Sequence, residues 1–157
     1  MNKSIPYWHT TTLGRLGSIL KVGLLSFNCS QKIGIKGYRR NFKSSWNGDF
    51  VSVMANTSSR KVTAPHVALL IDPSMKTTST NYKEEDTNRP SPNELLVKDM
   101  IAPESFLGVT IGEVGWSFRL EKPIKPKHAS FKKVIELVKE SKTGLSIYFK
   151  GKQIWPQ

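Results

Sequence analysis

Cysteine occurs once in the 157 residues, at Cys29. One thiol excludes an internal disulfide and any Cys-based metal site. Zinc deaminase chemistry, which uses two or more cysteine ligands, is excluded with it. The three histidines, His9, His66 and His128, are too scattered for metal-ligand spacing. There is no His-Glu-x-x-His, no Gly-x-Ser-x-Gly elbow and no P-loop. No run approaches the roughly 20 apolar residues of a membrane span. The most informative absence is of acids: no Asp or Glu precedes Asp49.

That absence makes the charge one-sided. The chain carries 24 Lys and Arg against 12 Asp and Glu, a formal net charge of +12. Two thirds of the surplus, +8, comes from Lys3, Arg15, Lys21, Lys32, Lys36, Arg39, Arg40 and Lys43. Such a field attracts polyanions and raises encounter rates with them. It equally describes a solvated basic face, since net charge speaks to association and not to fold. Tyr38, Phe42 and Trp46 recur at four-residue steps among these cations. Aromatics interleaved with cations can stack bases and hold phosphates; the same aromatics can instead face a core. A lone cysteine fits an intracellular, cytoplasmic setting, and the lack of an apolar span argues against a membrane partner. An acid-poor start with Arg and Ser leaves an organellar transit segment as the alternative.

The length predicts one domain, read as monomeric, over 1–157, with a core of about 5–120 and a C-terminal helix and hairpin over 128–157. Ile5 to His9 reads as a strand, and Thr10 to Thr12 as helix caps. Leu13, Leu16, Ile19, Leu20 and Leu24 follow at helical steps, with Gly23 as a stop. Residues 27–48 read as a long loop with one short helix or strand at most. Strands are predicted over Asp49–Met54, within Val62–Ile71, from Glu94 to Val97 and from Phe106 to Val114, with one more over Trp116–Leu120. Asp72-Pro73 ends the second of these. Residues 74–93 are polar and read as an exposed loop. Ile101-Ala102-Pro103 reads as a connection. Phe131, Val134, Ile135 and Val138 predict a C-terminal helix stopped at Gly144. Leu145–Phe149 and Gln153–Trp155 predict a hairpin. The pattern is α+β.

Two stretches stand out in order: Tyr7-Trp8-His9-Thr10-Thr11-Thr12 leading through a helix to Gly23-Leu24-Leu25-Ser26, then Asn93-Glu94-Leu95-Leu96-Val97 with Ile101-Ala102-Pro103-Glu104 and Phe106-Leu107-Gly108-Val109-Thr110-Ile111. Val67-Ala68-Leu69-Leu70-Ile71-Asp72-Pro73 lies between them. Together they resemble the ADP-ribosyltransferase fold, including DarT-like enzymes that modify DNA bases and the tRNA 2′-phosphotransferases. The resemblance covers roughly residues 5–112 and implies a split pair of small, mostly antiparallel sheets with flanking helices, forming a cleft for NAD.

The resemblance further implies roles. Glu94 is the catalytic carboxylate that stabilises the oxocarbenium-like sugar left when the nicotinamide–ribose bond breaks. His9 holds a ribose of NAD, with Thr10 beside it. The middle motif departs from the family pattern: Phe50 or Ser52 stands where a tyrosine or serine is usual, and Tyr38 is the alternative. NAD is the co-substrate, and no metal is implied. Lys32, Lys36, Arg39, Arg40 and Lys43 are the candidate nucleic-acid contacts, and an acidic protein acceptor remains open. The expected activity is mono-ADP-ribosyl transfer, most naturally onto nucleic acid. The alternatives are a basic nucleic-acid-binding module without chemistry, and RNA 2′-phosphotransfer on the same fold.

Overall fold

The computed structural model describes residues 6–34, 48–54, 60–61, 66–79, 94–111, 113–114, 129–149 and 152–156. Strand β1 (Tyr7–Thr12) leads into helix α1 (Leu13–Val22), the two-residue strand β2 (Leu24–Leu25) and helix α2 (Phe27–Lys32). Then come β3 (Phe50–Met54), β4 (Arg60–Lys61), β5 (His66–Ile71), β6 (Thr78–Ser79), β7 (Glu94–Lys98) and β8 (Met100–Ile101). A 3₁₀ turn (Pro103–Ser105) precedes β9 (Phe106–Ile111) and β10 (Glu113–Val114). Helix α3 (Ala129–Ser141) and the hairpin β11 (Ser146–Phe149) and β12 (Lys152–Trp155) complete the chain. The architecture is α+β, with one large, mostly antiparallel sheet and few helices. The strand expected over 116–120 lies outside the described residues.

The threonines after His9 extend the strand instead of capping the helix. All six residues of β1 pair antiparallel with β5, through Thr12↔His66. Thr12 takes the N-cap place of α1, but its side chain makes no capping bond. Threonine is β-branched and suits a strand, and a complete ladder satisfies more backbone groups than one cap. Helix α1 buries Leu16, Ile19 and Leu20, as its period predicts. Leu24 leaves that helical face. Gly23 adopts φ 94°, returns its N–H to the Ile19 carbonyl at 2.8 Å and turns the chain into β2. A Cβ at Gly23 would overlap the Ile101 carbonyl oxygen, so glycine is required twice over, by dihedral and by space.

The sheet runs β12-β11-β9-β5-β1-β3-β7-β6. Only β9 and β11 are parallel among its pairs. A parallel pair needs a crossover, and α3 supplies it. Helix α3 therefore lies beside α1 on one face, where Gly17 brings α1 close to the Leu137 side chain. The main core is formed between these helices and that face: Leu16, Leu20, Val53, Leu69, Val109, Phe131, Val134 and Ile147 are all sealed within it. Phe131 and Phe149 meet edge to face, with centroids 5.0 Å apart, a favoured geometry for aromatic pairs.

The two sequence stretches singled out above are physically joined. Leu24 pairs with Ile101 and Leu25 with Met100. The Ser26 N–H donates to the Asp99 carbonyl, and the Asp99 N–H donates to the Asp49 carbonyl, both at 2.8 Å. Asp99 bends the chain between β7 and β8 with φ 65°, which these two bonds hold. Asn28 Nδ2 donates to Asp49 Oδ1 at 2.8 Å, and Gly48 packs under the Asn28 side chain. Much of the Gly-Leu-Leu-Ser and Asp-Met-Ile signal is thus structural: it forms a clasp at one end of β3 and β7.

Candidate functional site

The eight strands are two ladders joined at a seam. Strand β1 pairs with β5 at six positions, and β3 pairs with β7 at five. Between β1 and β3 the paired position is Trp8↔Met54. The predicted pair of small sheets is therefore bridged into one sheet at this point. From there toward His9 and Ser52 the described residues form no further rung, and a side chain takes the place of one. His9 Nδ1 lies 2.7 Å from the Ser52 carbonyl oxygen.

This register brings Glu94 close to the His9 strand. Trp8 pairs with Met54, and Met54 pairs with Glu94. The position of Glu94 is therefore two strand spacings from Trp8, roughly 10 Å, although 85 residues separate Glu94 from His9 in the chain. Glu94 is the first residue of β7.

The surroundings of His9 favour its neutral imidazole. Burial holds its pKa below the ordinary histidine range; the Ser52 carbonyl works against that shift, and the Arg15 cation adds to it. A carbonyl only accepts, so Nδ1 carries the proton and Nε2 is left as an acceptor.

Residues on a strand alternate between faces. Counting by twos from the row Trp8–Met54–Glu94 puts Thr10, Ser52, Phe50 and Leu96 on one face of the sheet. Trp8 packs there with Ala68, Met54 and Leu70, away from the helices. His9 takes the other face with Tyr7, which packs against the main core, and with Thr11, which is buried. Thr10 is thus not the neighbour of His9 that its sequence position suggests. Thr11 is, and stepping by two along the strand would have identified it. Arg15 was also missed as part of this locale; its signal was a cation in the first turn of the helix following the histidine.

Two polar atoms on the Trp8 face are buried without a hydrogen-bond partner: Trp8 Nε1 and Thr10 Oγ1. Trp8 is 1% exposed. An unsatisfied buried polar group costs about 1–3 kcal/mol, and most such groups in folded proteins have a partner. Their position two residues apart on one strand concentrates that cost beside Ser52.

The other candidates divide. Ser52 sits at the seam through its carbonyl. Phe50 is half-buried at the far end of β3, paired with Lys98; four residues of strand, roughly 13 Å, separate it from the Met54–Glu94 row. Lys32 is exposed in the last turn of α2. Tyr38, Lys36, Arg39, Arg40 and Lys43 lie outside the described residues. Cys29 is a free, half-buried thiol whose N–H donates to the Ser26 hydroxyl at 3.1 Å. Among the described residues no three His, Cys, Asp or Glu gather as metal ligands, and no helix is long and apolar enough to cross a membrane. Neither a protein-family model nor a curated protein matches the chain.

Proposed function

We propose that the protein is an NAD-dependent mono-ADP-ribosyltransferase that acts on nucleic acid. The observation that carries this reading is the row Trp8–Met54–Glu94, which sets a carboxylate-bearing position two strands from the histidine strand at a seam in the sheet. The unpartnered Thr10 hydroxyl, on the same face as that row, adds a group that suits a hydroxyl-rich dinucleotide; His9 turns to the opposite face and supports the seam through the Ser52 carbonyl.

The chemistry is a glycosyl transfer. The bond between the ribose C1′ and the nicotinamide nitrogen breaks, and its electron pair leaves with neutral nicotinamide. The sugar develops oxocarbenium character, which the Glu94 carboxylate stabilises. A nucleophilic atom of the acceptor bonds to C1′ and gives up a proton to solvent. His9 acts from the opposite face as a positioning residue, its Nδ1–H holding the Ser52 carbonyl at the seam. Thr10 and Ser52, nearer that row, hold the nicotinamide end, and Phe50 farther along β3, or Tyr38 as the alternative, supplies an aromatic to the cleft. The basic residues Lys32, Lys36, Arg39, Arg40 and Lys43 steer the polyanionic acceptor.

Nicotinamide release from NAD in the presence of DNA or RNA tests the reading. Glu94→Gln keeps the shape of the side chain and removes its charge, so turnover is expected to fall about 100- to 1000-fold with the melting temperature unchanged. Equal turnover in both proteins would remove Glu94 from the mechanism. The second reading is a basic nucleic-acid-binding module without chemistry, which the net charge of +12 favours. Saturable heat on titrating NAD would count against it. Transfer of an RNA 2′-phosphate to NAD is the third, read out as phosphate loss from a 2′-phosphorylated oligonucleotide.

A further inference from the structure

The basic residues assigned from sequence cluster within 32–43, yet the folded chain presents a second cationic surface made by helices distant in sequence. Helix α1 contains no acid, and its exposed positions are Gly14, Arg15, Ser18 and Lys21. Helix α3 exposes Lys132, Lys133, Glu136, Lys139 and Glu140, and Lys142 follows it. Gly17 lets the Leu137 side chain approach α1 closely, so the two outer surfaces are continuous. Lys21 follows Gly17 by four residues and Lys133 precedes Leu137 by four. Residues four apart share a helix face, so these two lysines flank the line where the helices meet. Together the pair of helices exposes six cations and two carboxylates. The other exposed charges among the described residues are Lys32, Lys76, Lys98 and Lys152 against Asp49, Asp99 and Glu104, which nearly cancel. The described positive surplus therefore resides on the helix layer.

We infer that the outer surface of the α1–α3 pair docks the phosphate backbone of a nucleic acid. The inference rests on the reading that the partner is a nucleic acid, and it names where that partner lies. Lysines on helices suit phosphates as point charges and need no base contact. A membrane surface is the poorer fit, because it favours apolar side chains among the cations. The large exposed hydrophobics among the described residues are Ile33, Met100 and Leu107, none of them on α1 or α3.

The test uses the whole chain without NAD. A labelled oligonucleotide, single-stranded and as a duplex, is titrated by fluorescence anisotropy across salt from about 50 to 200 mM. The triple variant Lys21→Glu/Lys133→Glu/Lys139→Glu is expected to flatten the log–log salt slope by about 3, since each phosphate contact contributes roughly 0.9. Its affinity at the lowest salt should fall at least tenfold. The same positions changed to Gln should give a smaller loss in the same direction. Reversing Lys76, Lys98 and Lys152 instead should leave binding closer to wild type. Equal losses from both triples, or no loss from the first, would overturn the assignment. So would binding to phosphatidylserine vesicles without binding to either oligonucleotide. Nicotinamide release without acceptor reports on the NAD reading separately, so the failure of either idea is distinguishable from that of the other.

Discussion

On the helix side of the sheet, Leu16, Val53, Leu69, Val109 and Ile147 are closed between strands and helices in a large hydrocarbon core, with His9 and Thr11 the polar members of that face along β1. On the opposite side the cluster is smaller. Trp8 and Ala68 lie at its centre with Met54 and Leu70 beside them, and it encloses an indole N–H and a threonine hydroxyl that bond to nothing. The first face follows the hydrophobic effect, which rewards apolar area removed from water. The second bears a cost that packing alone does not explain. Folding strength and functional chemistry are thus separated by the thickness of one sheet, and the strand β1 serves both: Tyr7, His9 and Thr11 turn one way, Trp8 and Thr10 the other.

The contrast can be broken most forcefully from the packed side. Leu16→Ala removes a fully buried side chain and should cost about 2–5 kcal/mol in urea unfolding, with little effect on nicotinamide release by the protein that remains folded. A cost under about 1 kcal/mol would mean that the helix layer does not carry the stability. Thr10→Val acts on the other face with opposite sign. It keeps the shape and removes the orphaned hydroxyl, so the free protein should gain about 1 kcal/mol, while NAD binding by calorimetry weakens. Loss of stability would instead show that the hydroxyl has a partner.

The smallest effect is a pH slope. Unfolded His9 takes up a proton near pH 6.5, whereas the buried folded imidazole resists protonation. Its contribution is therefore whole above about pH 6.5 and is lost as pH falls towards and through the depressed folded value. Wild type should lose stability between about pH 7 and pH 5 more steeply than His9→Gln. Parallel curves for the two would show that the imidazole titrates freely.

What the sequence disclosed followed from local periodicity. The period-three and -four apolar residues of α1 and α3, the apolar run of β5 and the terminal hairpin are where pattern predicted them. What it hid depends on distant partners. Two-residue strands such as β2 and β8 have no period to detect; they exist because Leu24–Leu25 and Met100–Ile101 find each other. Phe106–Val114 reads as one strand but divides, since β9 joins β5 and β11 while β10 joins β4. Gly17 could have admitted a strand or a ligand, and it admits a helix. At the site, the place of Glu94 beside the histidine strand follows from two registers that no local pattern encodes. That Thr10 and His9 face opposite ways is legible in the alternation of a strand.

Among the described residues, β1 and β3 share the one rung Trp8↔Met54. A hydrogen bond contributes only about 0.5–1.5 kcal/mol net, so what chiefly binds the three strands to the five is hydrocarbon: Val51, Val53 and Val97 share one core with Leu69 and Val109. At the other end the Ser26–Asp99 bond ties the chain after α1 to β7, and the Asp99–Asp49 bond stays within the β3–β7 pair. The two groups of strands are thus joined like boards glued along one face, with few pegs in the described part of the joint.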